Sequence, residues 1–429
     1  MLHRCLPGLG LCALTLLSVP PSAAGEVRGS GAAVSAEALT REQAVEQALA
    51  ANPTLKAFGR ELEAARARRL QADGFDPPTF FWDFEEAERL GSPSRFGNQV
   101  LGVEQSIEWF GVRRARKEAA TFGVDAAEAL LERARSRIAA RTHKAFDEVL
   151  QARAAGELLE RMTTLAGEAV ELARARFRSG TASYVDFLRL RLRREQLQNE
   201  RRTVLVAETA ARRELNGLLG RSGEAITLQG ELTETAPLPE VSPYLADAEQ
   251  KAPTLRLLEY RRAEAAKRYE AARGGRLPEF TLGLGRERLY DGAADYAWAG
   301  RLGLRLPLPG SDRQQGREAE ALAELNRTAE LGRAQRLAVQ TRLGQRLDEA
   351  AVLAQRVEDY RKVLLPDAAD QLKAAQQDYR VGRIDALGLI DVFNTYVEIQ
   401  RDYLETLARL RAAAADLAGF GEDLWEVEL

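Results

Sequence analysis

The chain has 429 residues, 45% hydrophobic and 29% charged, with 61 basic against 64 acidic side chains and a formal net charge of −3. That balance argues against a protein that binds nucleic acid through bulk positive charge. Two cysteines and two histidines in the whole chain exclude a disulfide scaffold and a transition-metal cluster within one copy.

The first 24 residues read as an export signal. Arg4 precedes an apolar stretch from Leu9 to Val19, and Pro20-Pro21-Ser22-Ala23-Ala24-Gly25 supplies small residues for cleavage after Ala24. Both cysteines, Cys5 and Cys12, leave with it. Leu11 is bulky and little apolar sequence precedes Cys12, which argues against lipid attachment there. After the signal no stretch approaches the roughly 20 apolar residues of a membrane helix. A membrane-spanning form would therefore have to close strands into a barrel.

Residues 25–38 are small and polar and read as a linker. A first repeat follows over 39–220. Thr40 with Gln43 forms a capping box for a short helix with Ala44, Val45, Ala48 and Leu49 on one side. Asn52-Pro53 interrupts it, and helix resumes to about Asp73. A β-hairpin is expected at about 79–109, where Phe80, Trp82 and Phe84 alternate with Phe81, Asp83 and Glu85. After the turn-rich Gly91-Ser92-Pro93-Ser94, Leu101, Val103, Ile107 and Trp109 alternate with Val100, Gly102, Glu104 and Ser106. From Val112 to about Arg178 there is no proline, which predicts a rod of roughly 100 Å. It turns at about Gly180 and returns through Leu190, Leu197, Val204, Ala211 and Leu218, a seven-residue step.

A linker at 221–240 leads to a second repeat over 241–421, followed by a tail at 422–429. Asn52-Pro53-Thr54-Leu55 is echoed by Ala252-Pro253-Thr254-Leu255, Pro78 by Pro278, Gly111 by Gly310 and Gly180 by Gly382. Landmarks repeating at a spacing near 200 imply duplication of one structural unit. The second hairpin is expected at about 279–307, turning at Tyr290-Asp291-Gly292. The second long helical hairpin runs from about Asp312, kinked at Pro366, and turns at about Gly382. Leu389, Phe393, Tyr396, Gln400, Tyr403, Leu407 and Leu410 then form its return seam. Four strands cannot close a membrane barrel, which starts at about eight; three chains would supply 12 and leave a lumen.

The opening Leu39-Thr40 through Asn52-Pro53, the turns Phe177-Arg178-Ser179-Gly180 and Tyr379-Arg380-Val381-Gly382, and the helix start Leu389-Ile390-Asp391 resemble the TolC-type outer-membrane efflux family. The resemblance covers nearly the whole mature chain. The segment from Val103 to Arg113 is most similar to the heavy-metal efflux branch. The resemblance implies a mainly α fold with membrane β: long helical hairpins forming a trimeric α-barrel tunnel in the periplasm, and four strands per chain in a 12-stranded outer-membrane β-barrel. It implies a homotrimer that works with a periplasmic adaptor and an inner-membrane transporter, touches outer-membrane lipid, and conducts small solutes, including heavy-metal cations, without catalysis or cofactor. A periplasmic coiled-coil adaptor and an outlet for type I protein secretion are the alternatives.

By the same resemblance, Asp186 and Asp391 are the expected carboxylates of the periplasmic aperture, while Gly388 occupies the position of the family's usual first aperture aspartate. Arg178, Gly180, Arg380 and Gly382 at the hairpin turns are the expected adaptor contacts. Trp82, Trp109, Tyr290, Tyr296 and Trp298 suit a membrane-interface belt. His143, alone on a long helix, reads as an ordinary helical residue and not as a metal ligand. The basic runs at 112–117 and 189–194 read as solvated helix faces. Gly283-x-Gly285 precedes strand and not helix, so it is no nucleotide loop. No Ser/His/Asp or Cys/His set is present for covalent catalysis.

Overall fold

The structure, a computed structural model, describes residues 38–84, 98–222, 226–232, 252–291, 293–306 and 312–419. The expected signal peptide, the 91–94 turn, the Tyr290 side chain, Gly310 and the C-terminal tail lie outside the described residues, as do most of the two expected linkers.

Two short helices, α1 (Arg41–Ala51) and α2 (Pro53–Asp73), lead into β1 (Thr79–Phe84) and β2 (Gln99–Ile107). The helical hairpin α3 (Val112–Arg178) and α4 (Tyr184–Leu218) follows. The second repeat runs α5 (Pro253–Gly274), β3 (Glu279–Asp291), β4 (Ala293–Arg305), α6 (Asp312–Asp359), α7 (Leu365–Val381) and α8 (Ala386–Ala418). Among the described residues no helix is long and apolar enough to cross a membrane.

Local chemistry accounts for the helix ends. The Gln43 N–H donates to Thr40 Oγ1, and the Thr40 N–H donates to Gln43 Oε1, completing the capping box. Asn52 caps α2 by accepting from the Thr54 N–H, and its Nδ2 donates to the Leu218 carbonyl, tying α2 to the end of α4. In α1 only Ala44 and Ala48 are buried, and Leu49 is 37% exposed, so the apolar face is narrower than the spacing suggests.

The expected kink at Pro366 takes the form of a π-turn at Tyr360–Leu364 immediately upstream. Proline lacks the N–H that would serve the carbonyl four residues before it. The Leu365 N–H donates to the Tyr360 carbonyl five residues back, and the helix continues as α7. The start of the first repeat and the described part of the second linker are also packed together. Leu39 bridges Leu228 in parallel, and Ile226 and Leu228 are buried against α1 and α3. Their apolar side chains anchor a stretch that composition alone marks as connector.

The four strands form one antiparallel sheet in the order β1-β2-β3-β4. The central pairing joins the two repeats, with Gly102 opposite Gly285. Below the sheet, α3 is buried against α2, α4 and α5. Near the far end, Leu158, Met162, Leu190, Leu197, Leu372, Tyr379, Leu389 and Phe393 form one core that unites both helical hairpins.

Midway along α3, Asp147 is buried and paired twice, with Arg41 at 2.9 Å and Arg411 at 2.9 Å. Lys144 one turn earlier pairs with Asp416 at 2.5 Å. These contacts tie α1, α3 and α8 together. His143 stands beside them, half-buried. Burial first, and the Arg41 charge second, hold its imidazole pKa below the ordinary 6.5.

Candidate functional site

Both helical hairpins reverse by the same hydrogen-bonded motif. At the end of α3 the Thr181 N–H donates to the Arg176 carbonyl and the Gly180 N–H to the Phe177 carbonyl. At the end of α7 the Arg383 N–H donates to the Asp378 carbonyl and the Gly382 N–H to the Tyr379 carbonyl. Each is a Schellman closure that needs a left-handed residue, and Gly180 and Gly382 have φ of 73° and 83°. Glycine adopts that backbone without the Cβ clash other residues would meet.

The returning helices then start differently. Ser183 caps α4 by accepting from the Asp186 N–H at 3.1 Å. Asp385 caps α8 by accepting from the Gly388 N–H at 2.9 Å. Asp186 and Gly388 are thus equivalent third helical positions, whereas Asp391 lies almost one turn further into α8. The duplication places Arg189 where α8 has Asp391. Arg189 approaches Asp186 at 3.7 Å. Asp391 is exposed and makes no ion pair among the described residues.

The two tips touch through Arg176, which the sequence did not single out. Arg176 donates to the Arg380 carbonyl at 2.7 Å, and its guanidinium lies 5.1 Å from the centre of the Tyr379 ring. Arg380 itself reaches back to Glu168 at 3.8 Å. Tyr379 is 3% exposed, and burial raises its phenol pKa above 10.0, with Arg176 opposing and Asp186 and Asp385 adding to the rise. Arg178, Gly180, Arg380 and Gly382 are all exposed at the outer side of these turns. A groove of about 260 Å³ opens beside them, lined by Leu165, Ala169, Leu172, Tyr379, Leu389 and Phe393. The only signal that could have pointed to Arg176 was its place four residues before the Gly180 turn.

At the opposite end, the sheet has two faces of contrasting chemistry. Register puts Phe80, Trp82, Phe84, Leu101, Val103, Leu282, Leu284, Trp298, Leu302 and Leu304 on one face, and all of them are exposed. The other face carries Asp83, Glu104, Glu279, Arg301 and Arg305. Arg301 pairs with Asp83 and with Glu104, and its guanidinium lies 4.2 Å from the Phe81 ring centre. Phe81 covers Gly102 so closely that a Cβ there would have no room. Trp82 and Trp298 project from the apolar face at its upper end, and Tyr296 sits one step above them. Trp109, at the lower end, stacks on Phe280 with centroids 5.7 Å apart.

Among the described residues no group of three or more His, Cys, Asp or Glu side chains could hold a metal ion. The arrangement offers one charged sheet face, one apolar sheet face and a pair of exposed turns.

Residues 44–221 match the family model described as outer membrane efflux protein. The cobalt-zinc-cadmium resistance protein CzcC of Cupriavidus metallidurans is 25% identical over 387 residues, 88% of this chain and 89% of that protein. The fold is similar to that of the outer-membrane channel OprN, with a TM-score of 0.78 at 20% identity over 89% of each chain. It is also similar to CusC, described for transmembrane channel formation, with a TM-score of 0.74 at 15% identity over 89% of this chain and 92% of that one.

Proposed function

We propose that this chain, of the outer membrane efflux protein family, assembles as a homotrimeric channel and conducts small solutes passively out of the periplasm. One observation carries the reading. A four-stranded sheet with an exposed apolar face and two unpaired edges, β1 and β4, sits at one end of helices of roughly 100 Å. Unpaired edges are not tolerated in lipid, and closure with other copies removes them. Three copies supply 12 strands, enough for a lumen lined by the charged inner face.

The helical hairpins then form the periplasmic tunnel. Their exposed turns at Gly180 and Gly382 meet a periplasmic adaptor, which links the channel to an inner-membrane pump. Threefold symmetry makes Asp186 and Asp391 rings at the tunnel mouth that narrow it at rest. The likeness to CzcC favours divalent heavy-metal cations as cargo.

The test is in two parts. Detergent extraction from the envelope followed by mass determination should give a trimer, and release without detergent would end the barrel reading. In planar bilayers, Asp186→Ala with Asp391→Ala should raise resting conductance, and an unchanged value would remove the gate assignment.

A further inference from the structure

The apolar face of the sheet carries two charged residues among the described strand positions, and both are arginines. Register places Arg286 in the row Trp82–Leu101–Arg286–Trp298, and Arg288 in the row Phe84–Gln99–Arg288–Tyr296. Asp83, Glu104, Glu279, Glu287, Arg301 and Arg305 all fall on the opposite face by the same register. An unbalanced pair of cations on a surface meant for lipid needs a counter-charge.

Their height on the sheet says where it comes from. The three rows below Arg286 hold Phe80, Val103, Leu282, Leu284, Leu302, Leu304 and Ile107, with Gln105 among them, a mainly apolar band of roughly 14 Å along the strands. The two arginines begin where that band ends, among the aromatic residues of the upper rim. The Arg286 guanidinium lies 5.2 Å from the Trp298 ring centre and 5.6 Å from that of Tyr296. Both distances are within cation–π range, and a guanidinium held this way has further N–H donors to offer an anion. Among the described residues Arg286 has no carboxylate partner, and the Arg288 Nε is shielded from solvent without a hydrogen-bond acceptor.

We propose that Arg286 and Arg288, framed by Tyr296 and Trp298, form a binding site for the phosphate group of an outer-leaflet lipid. The chemistry is that of a planar fork meeting a phosphate, next to apolar side chains that meet the acyl chains. In the trimer the site occurs three times around the barrel rim. The inference rests on the outer-membrane barrel reading.

The full-length protein in mild detergent is titrated with bisphosphorylated lipid A and, separately, with phosphatidylcholine, and bound lipid is counted by native mass spectrometry. Lipid A should bind in preference to phosphatidylcholine, and Arg286→Gln with Arg288→Gln should weaken lipid A binding by about tenfold or more. Equal binding by that variant overturns the site. Displacement of lipid A by inorganic phosphate at equal concentration overturns the lipid reading in favour of a free-phosphate site. If the glutamine pair does not reach the membrane, Arg286→Lys with Arg288→Lys keeps the charges and removes the fork. It should bind several-fold more weakly than wild type, and wild-type binding would overturn the site. A chain recovered without detergent defeats the barrel reading itself, whereas a membrane-embedded trimer with unchanged lipid A binding defeats only this inference.

Discussion

Aspartate does different work at the middle of α3 and at the hairpin tips. Asp147 is buried between Arg41 and Arg411, with every element around it already packed. Asp186 and Asp391 stand near the starts of α4 and α8, one paired loosely with a neighbour on its own helix and the other exposed. A buried carboxylate holds its two cations in place, and those cations hold the helices. A carboxylate at a helix start costs little to keep or remove, which is compatible with the gate role proposed for Asp186 and Asp391.

The largest effect should come from the middle region. Asp147→Ala removes the buried carboxylate that pairs with both Arg41 and Arg411, and should cost about 3–5 kcal/mol. Thermal dissociation of the purified protein would show it, and a variant as stable as wild type would contradict the structural role. The turns come next. Gly382→Ala forces a Cβ into the left-handed conformation, at about 1–2 kcal/mol. Asp385→Ala removes the α8 cap, at about 1 kcal/mol. Denaturant titration separates these from a merely neutral surface change.

Acid should act on the middle region. The folded-state pKa of His143 lies below its unfolded 6.5, so the folded protein resists protonating it. The stability contribution is complete above pH 6.5 and is lost as pH falls from there towards the lowered folded value. His143→Gln should flatten that loss in a melting-temperature profile between about pH 7 and 5. An unchanged profile would mean that other groups set it. The smallest stability effect is expected for Asp186→Ala and Asp391→Ala, within about 0.5 kcal/mol. Their conductance should nonetheless change, which is the sharpest form of the contrast.

Much of the architecture was legible in the sequence because its causes are local. A glycine is required wherever a Schellman turn needs positive φ, and Gly180 and Gly382 announce both reversals. Period-two alternation announces the strands, and the Thr40–Gln43 box announces α1. The spacing near 200 announces the duplication, and the family resemblance supplied the expected roles of Asp186 and Asp391. Residues whose meaning depends on distant partners were not legible. Asp147 is 106 residues from Arg41 in the chain, and no spacing predicts that pair. Arg176 contacts Arg380 across 204 residues.

The sequence by itself determined two copies of a strand hairpin joined to a long helical hairpin, since propensity, capping and periodicity act over a few residues. Only the tertiary structure decided that β2 pairs with β3, joining the repeats into one sheet. It gave the physical form of the Asp186–Gly388 equivalence, since each N–H is the one that donates to its helix cap, Ser183 or Asp385. It alone set Arg286 beside Trp298 and Tyr296 of β4, because cross-strand neighbours follow from register, and register is set by long-range pairing.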